Sequence, residues 1–204
     1  TTLIKSLLSS PVACIKTIQN RIIVLTKKDD ADYSQDIHQL ETLQKLLEKI
    51  SPEQFSKYQI LKNTLKSTEN GSAWKANDSK DRLVIFTERI ESLNFLEQQL
   101  TQDLKLKPGQ VEILHGSLAD IEQQRIVEDF GQENSKVRLL ICSDVASEGI
   151  NLHYLSHRMV HFDIPWSLMV FQQRNGRIDR YGQEQTPQIY YLMTEVENEA
   201  FKDD

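Results

Sequence analysis

Apolar residues recur at two different periods along this chain, and the period changes near residue 82. Before it the regular stretches have helical spacing, after a start in which apolar and basic residues alternate. Leu3, Ile4, Leu7 and Leu8 form a first group, and Ile15, Ile18, Ile22 and Ile23 a second at three- and four-residue steps. Pro11, after Ser9-Ser10, suits the first turn of the helix carrying the second group. Asp29-Asp30-Ala31-Asp32 breaks the pattern. Ile37, Leu40, Leu43, Leu47 and Ile50 predict another helix, ended by Ser51-Pro52. One more follows through Phe55, Tyr58, Leu61 and Leu65. Residues 67–81 are rich in Ser, Asn, Asp and Lys and read as a mobile loop. Trp74 inside it reads as a local anchor against the core.

After Arg82, short apolar runs alternate with helical stripes. Leu83–Phe86, Val111–Leu114, Val137–Cys142, Arg158–Phe162 and Gln188–Met193 read as strands. Between the first two lies a helix with Ile90, Leu93, Leu96 and Leu100 on one face. Ser117 and Asp120 read as a capping box for a helix that runs to Phe130, with Gly131 as its stop. Pro165 and Ser167 open a further helix. This alternation predicts an α/β fold with a parallel sheet and helices on both faces. Residues 1–66 form a helical segment, 67–81 the loop, and 82–204 the α/β domain.

The 204 residues carry a net charge of −6, which argues against a protein that simply coats nucleic acid. The charge is uneven: residues 1–28 sum to +5 and the last ten to −4. Nucleic-acid contact would therefore use local basic features in a cleft. No apolar run approaches the roughly 20 residues of a membrane span, and no basic-then-apolar signal segment opens the chain. Cys14 and Cys142 are far apart, with neither a disulfide framework nor metal-ligand spacing around them. Cys142 ends an apolar run and is expected to be a buried thiol.

Polar residues follow four successive predicted strands: Thr87, His115-Gly116, Ser143-Asp144 and Asp163. Carboxyl ends of parallel strands are where open α/β sheets bind ligands. On the same rim lies Gln172–Gln183, with Arg174, Arg177 and Arg180 within seven residues. Three permanent cations repel unless an anion is near, and phosphate best matches the guanidinium fork. This stretch reads as phosphate-sensing, with Arg174 equally suited to a structural pair with Asp179 or Asp163. In Ser143–Leu152, hydroxyls and backbone N–H groups near a helix start suit an anion. Gly149 allows close backbone approach, and Asn151 suits a sugar hydroxyl.

On these residues the chain resembles the second RecA-like lobe of superfamily-two helicases and translocases, a P-loop NTPase-like three-layer α/β/α fold. It is most similar to the Swi/Snf type, including the bacterial RNA-polymerase-associated member. Leu83–Thr87 matches motif IV, and His115-Gly116 with Arg125 and Phe130 matches the next block. Ser143–Leu152 matches motif V, and Asp163-Ile164-Pro165-Trp166 leads into Gln173-x-x-Gly176-Arg177-x-x-Arg180, motif VI. Ser143 replaces a common threonine, and Glu148 departs from the usual glycine or arginine.

Neither a Gly-x-x-x-x-Gly-Lys-Ser/Thr loop nor an Asp-Glu-x-His/Asp box occurs; the family carries both on the first lobe. The resemblance thus implies a second lobe, inactive by itself, with residues 1–66 joining the two lobes or packing on the second. ATP with Mg²⁺ would be bound mainly through a first lobe outside this chain. Arg177 and Arg180 would act on the γ-phosphate, Arg180 as arginine finger, with Gln173 setting their position. Gly149, Asn151 and Gly176 would lie near the nucleotide. Thr87, Arg89, His115, Gly116 and Ser143 would contact the backbone of double-stranded DNA. Implied partners are the first lobe and RNA polymerase or another DNA-bound complex, in the bacterial cytoplasm or, for a eukaryote, the nucleus. The rivals are a non-catalytic binding module of the same shape, a DEAD-box RNA helicase lobe and a flavodoxin-like domain. Gln173, where DEAD-box proteins carry histidine, and the Pro165-Trp166 lead-in favour the Swi/Snf type.

Overall fold

The structure, a computed structural model, describes residues 2–28, 33–67, 71–144 and 150–194. Its helical part comprises α1 (Thr2–Ser9), α2 (Pro11–Thr26), α3 (Ser34–Leu47) and α4 (Ser56–Lys66). Ser10 breaks α1 from α2 and caps the latter, its hydroxyl accepting from Ala13 N at 3.2 Å. Pro11 occupies the first turn, as its spacing predicts.

The α/β part runs β1 (Arg82–Phe86), α5 (Ile90–Asp103), β2 (Val111–Leu114), α6 (Asp120–Gly131), β3 (Leu139–Cys142), β4 (Ser156–His161), α7 (Leu168–Asn175) and β5 (Gln188–Tyr191). The five strands form one parallel sheet in the order β2-β3-β1-β4-β5. Alternate residues of the central strands enter two cores. Leu83, Ile85, Leu139, Ile141 and Val160 face α4 and α5, where Tyr58, Leu61, Leu93, Leu96 and Leu100 meet them. Val84, Phe86, Leu140, Cys142 and Met159 face α6, through Ile126 and Phe130. Each fully buried aliphatic side chain contributes roughly 1.5–3 kcal/mol. Cys14 and Cys142 are both free, buried thiols. Helix α4 belongs to the main core, whereas α1–α3 keep a small core of their own around Cys14, Ile18 and Leu47. No helix among the described residues is long and apolar enough to cross a membrane.

Three local expectations are corrected. Ser117 does not cap α6: the cap position is Ala119, without a side-chain bond. The backbone N–H of Ser117 instead donates to His115 Nδ1 at 3.3 Å. Gly131 is the last residue of α6 and not a left-handed stop. The helix end is closed from afar, because the buried Arg82 guanidinium donates to the carbonyls of Asp129, Phe130 and Gln132. The third strand starts two residues later than its apolar run, at Leu139, and still ends at Cys142, whereas the fourth starts two residues earlier than its run, at Ser156.

The described part of the 67–81 loop is tied to the sheet. Trp74 is buried and its indole N–H donates to Asp81 O at 2.9 Å. Asp81 in turn pairs with Arg158, whose Nε donates to Ser72 O at 2.6 Å.

Candidate functional site

The strand order places the predicted rim residues in a row at the carboxyl ends: His115, Ser143, Thr87, Asp163. The β1/β4 half of this row is filled from within. Asp163 is buried, and its Oδ2 accepts from Thr87 Oγ1 at 2.7 Å, Ser9 Oγ at 2.7 Å and Glu88 N at 3.1 Å. Its Oδ1 accepts from Lys57 Nζ at 2.8 Å. Lys57 also donates to Leu8 O at 2.8 Å, and Ser92 Oγ lies 2.7 Å from Ser9 Oγ and 2.6 Å from Ser10 Oγ. Burial works to raise the Asp163 carboxyl, but the Lys57 charge and these donors hold it below its ordinary value. Burial lowers the Lys57 ammonium, and Asp163 works against that shift.

Thr87 is therefore corrected as a backbone-contact candidate: it is fully buried with its hydroxyl committed to Asp163. The network docks α1 and α4 onto the strand ends. A cavity of about 330 Å³ remains beside it, lined among others by Lys5, Glu88 and Trp166. Lys5 Nζ lies 4.7 Å from the Trp166 ring centroid, and burial, then Asp163, raises the Glu88 carboxyl.

The arginine stretch starts inside the protein and ends outside it. Arg174, on α7, is 1% exposed. Its Nε and Nη2 grip both oxygens of Asp144, the second at 2.8 Å, and Nη1 donates to Asp163 O at 2.6 Å. Its partner is thus Asp144, neither Asp179 nor the Asp163 carboxylate. His161 is buried beneath it, stacked with Phe171 and Tyr191 at 5.0 and 5.2 Å. Burial pushes the imidazole down to about 4, with the Arg174 charge adding to the shift and the Asn175 bond opposing it.

Beyond α7 the chain turns without regular structure. Arg177 is half-buried and donates to Ile150 O at 3.3 Å, while Leu152 N donates to Arg177 O at 3.1 Å. Arg180 is exposed and donates to Asn151 Oδ1. Residues 174, 177, 180 and 183 thus all reach back to the segment between β3 and β4, or its edge. The partners of the first three are Asp144, Ile150 and Asn151, and Gln183 contacts His153 and Ser156. Sequence reasoning missed this zipper, although the three-residue spacing was the signal for it.

The remaining predicted residues scatter. Gly116 is exposed and His115 half-buried on the rim. Ser143 is buried, its N–H donating to Leu114 O at 2.8 Å. Arg89 precedes α5 and lines a cavity of about 810 Å³ with Arg21, Asp36 and Leu40 of α2 and α3. It therefore faces the helical segment. Gln173 is exposed on α7, and Gly176 closes that helix at φ −63. Gly149 and Glu148 lie outside the described residues.

The model of the helicase conserved C-terminal domain family matches residues 56–182, from the start of α4 through the arginine turn. The chain belongs to that family. Among solved structures, the C-terminal part of the Fun30 ATPase domain is similar at 26% sequence identity and a TM-score of 0.57, over 69% of this chain and 41% of that one. The E. coli DEAD-box protein SrmB, solved bound to regulator of ribonuclease activity A, is similar at 23% identity and a TM-score of 0.50. That match covers 67% of this chain and 69% of SrmB's. The five-stranded parallel sheet and its flanking helices are the RecA-like fold of a helicase C-terminal lobe, as the sequence predicts. This helicase C-terminal domain spans about two fifths of the Fun30 structure.

Proposed function

We propose that this helicase C-terminal domain is the second motor lobe of an ATP-driven translocase that moves on double-stranded DNA. The observation that carries the reading is the arginine turn. Arg180 projects to solvent and its described partner is the neutral amide of Asn151. A cation held that way keeps its attraction for an incoming anion, whereas one gripped by a carboxylate, as Arg174 is, has lost most of it. The turn therefore fits a polyphosphate.

ATP is held mainly by a first RecA-like lobe, which supplies the phosphate loop. Mg²⁺ bound with the triphosphate would neutralise phosphate charge, and its ligands would come from that first lobe and the nucleotide. When the lobes close, Arg180 exchanges Asn151 for the γ-phosphate and acts as the arginine finger. Arg177 supports it from the half-buried side, with Gln173 and Gly176 on the same helix end and Asn151 on the facing segment; Gly149 is assigned to the nucleotide from its place in the motif alone. Fingers of this kind are worth roughly 10³–10⁵ in rate. His115 and Gly116, accessible on the rim, contact one strand of the duplex through its phosphates, positioning without reading sequence; buried Ser143 and Arg89, turned toward the helical segment, are left out of that contact. Closing and reopening of the cleft with ATP state moves the lobe along the DNA. The partner class is RNA polymerase or another DNA-bound complex, in the cytoplasm or the nucleus according to the host. The likeness to the Fun30 ATPase domain supports an ATPase role.

The test is ATP hydrolysis by the parent protein with duplex DNA or single-stranded RNA. Stimulation by duplex DNA supports the reading. Stimulation by RNA alone makes this an RNA helicase lobe. No hydrolysis at all makes it a non-catalytic module. The isolated 204-residue chain is expected to hydrolyse nothing.

A further inference from the structure

Gln183 closes the arginine turn from its far end. Its amide nitrogen lies 3.2 Å from His153 O, 3.0 Å from Ser156 O and 3.1 Å from Ile178 O. An amide NH₂ has two hydrogens, so the nitrogen sits in a cup of three carbonyls that share them. The three belong to different stretches: the segment leading into β4, the first residue of β4, and the turn itself. Its Oε1 accepts from Gln185 N at 3.1 Å, and its backbone N–H donates to Arg180 O at 3.0 Å. Gly182 sits at φ +94, the left-handed region that glycine adopts without strain.

Residues 176–182 form neither helix nor strand. The ties that place them include buried Ile178, the Leu152 to Arg177 backbone bond, the Arg177 and Arg180 side chains on Ile150 and Asn151, and Gln183. Of these, Gln183 is the side chain that fixes the turn to the edge of β4. Arg180 lies three residues before it and is exposed, so its direction follows the turn.

We propose that Gln183 is a positioning residue, a staple acting through its amide hydrogens, that presents Arg180 and Arg177 to the γ-phosphate. The inference rests on the motor-lobe reading above. It selects by donor capacity and not by size. Glutamate has glutamine's shape but no hydrogen to give, and its charge would face three carbonyl oxygens. Lysine differs in shape but brings three donors to three acceptors. Methionine matches the length and offers none.

The experiment compares Gln183→Glu, Gln183→Met and Gln183→Lys with wild type in the parent protein. It reads kcat, KM for ATP, duplex affinity, thermal midpoint and hydrogen exchange of residues 176–183. The expected result is a fall in kcat of about 10- to 100-fold for Gln183→Glu and about 10-fold for Gln183→Met, the scale of an ångström of misplacement. KM and duplex affinity should stay within about threefold, and Gln183→Lys should keep kcat within about threefold of wild type. Exchange in the turn should quicken in the Glu and Met variants but not in Lys. Wild-type kcat in the Met variant, or a Lys variant as impaired as Met, overturns the proposal. So does a fall in kcat that merely tracks the thermal midpoint. If Gln183→Glu does not fold, the Met and Lys pair decides. If the wild-type parent hydrolyses no ATP, the motor reading fails, and the exchange contrast still tests the staple by itself: quickening in Met but not in Lys supports it, and equal rates overturn it.

Discussion

The β1/β4 end of the strand rim and the arginine turn beside it use similar side chains and reach opposite states. At β1/β4, Asp163, Lys57, Thr87, Ser9 and Ser92 answer one another's hydrogen bonds out of solvent. In the turn, Arg180 remains exposed with a neutral amide for a partner. Arg174 links the two, gripping Asp144 while donating to the Asp163 carbonyl. A polar residue at a strand end is thus not yet a ligand site. It becomes structure when another element supplies the complementary group, and stays available for a ligand when none does.

The largest contrast is between activity and stability. In the parent protein, Arg180→Ala should lower DNA-stimulated ATP hydrolysis by roughly 10³–10⁵. Its unfolding free energy should move by no more than about 0.5 kcal/mol, as for other surface positions. Near-normal turnover would remove the finger from the comparison. Asp163→Ala should do the reverse, costing about 3–5 kcal/mol in denaturant unfolding because it leaves the Lys57 ammonium buried and unpaired. A loss below about 1 kcal/mol would show that the network is not structural.

Between these two ends lies His161, which predicts a pH dependence. The ring is held neutral, Nε2 at 2.8 Å from Asn175 Oδ1 and Nδ1 at 3.3 Å from Arg174 Nη1. The guanidinium can only donate, so Nδ1 accepts. The imidazole sits at about 4 when folded against 6.5 in the ordinary case, so the unfolded chain takes up the proton first as pH falls. The stabilisation is complete above about pH 6.5 and is lost toward pH 4, to a maximum of about 3 kcal/mol. Unfolding curves across that window should show the slope, and His161→Gln should flatten it.

The smallest effect belongs to Gly176. A Cβ there would lie 3.5 Å from Gln172 O and 3.7 Å from Gln173 O, an ordinary contact. Gly176→Ala should therefore keep stability or raise it by about 0.4–1 kcal/mol. If the nucleotide approaches this backbone as proposed, ATP affinity should fall all the same. Unchanged affinity would take Gly176 out of the site.

Local pattern carried most of the fold. The runs Leu83–Phe86 and Val111–Leu114 are short and largely apolar, and they lie where the sheet puts them. The C-terminal end of α6 was illegible because the group that closes it is Arg82, far back in the chain on β1. The clustering of Arg174, Arg177 and Arg180 was legible from residue type and motif order. The fate of Thr87 was not, since it depends on an aspartate 76 residues away, which itself depends on Lys57 and on Ser9, 106 and 154 residues from it.

The sequence by itself determined the order of elements, the parallel α/β class and the presence of a cation cluster suited to phosphate. Only the tertiary structure decided which arginine is a strut and which is exposed. Hydrophobic period is a local property, repeated every few residues. The satisfaction of a buried polar group is not local: it requires a partner brought in by folding, and no spacing along the chain records which one arrives.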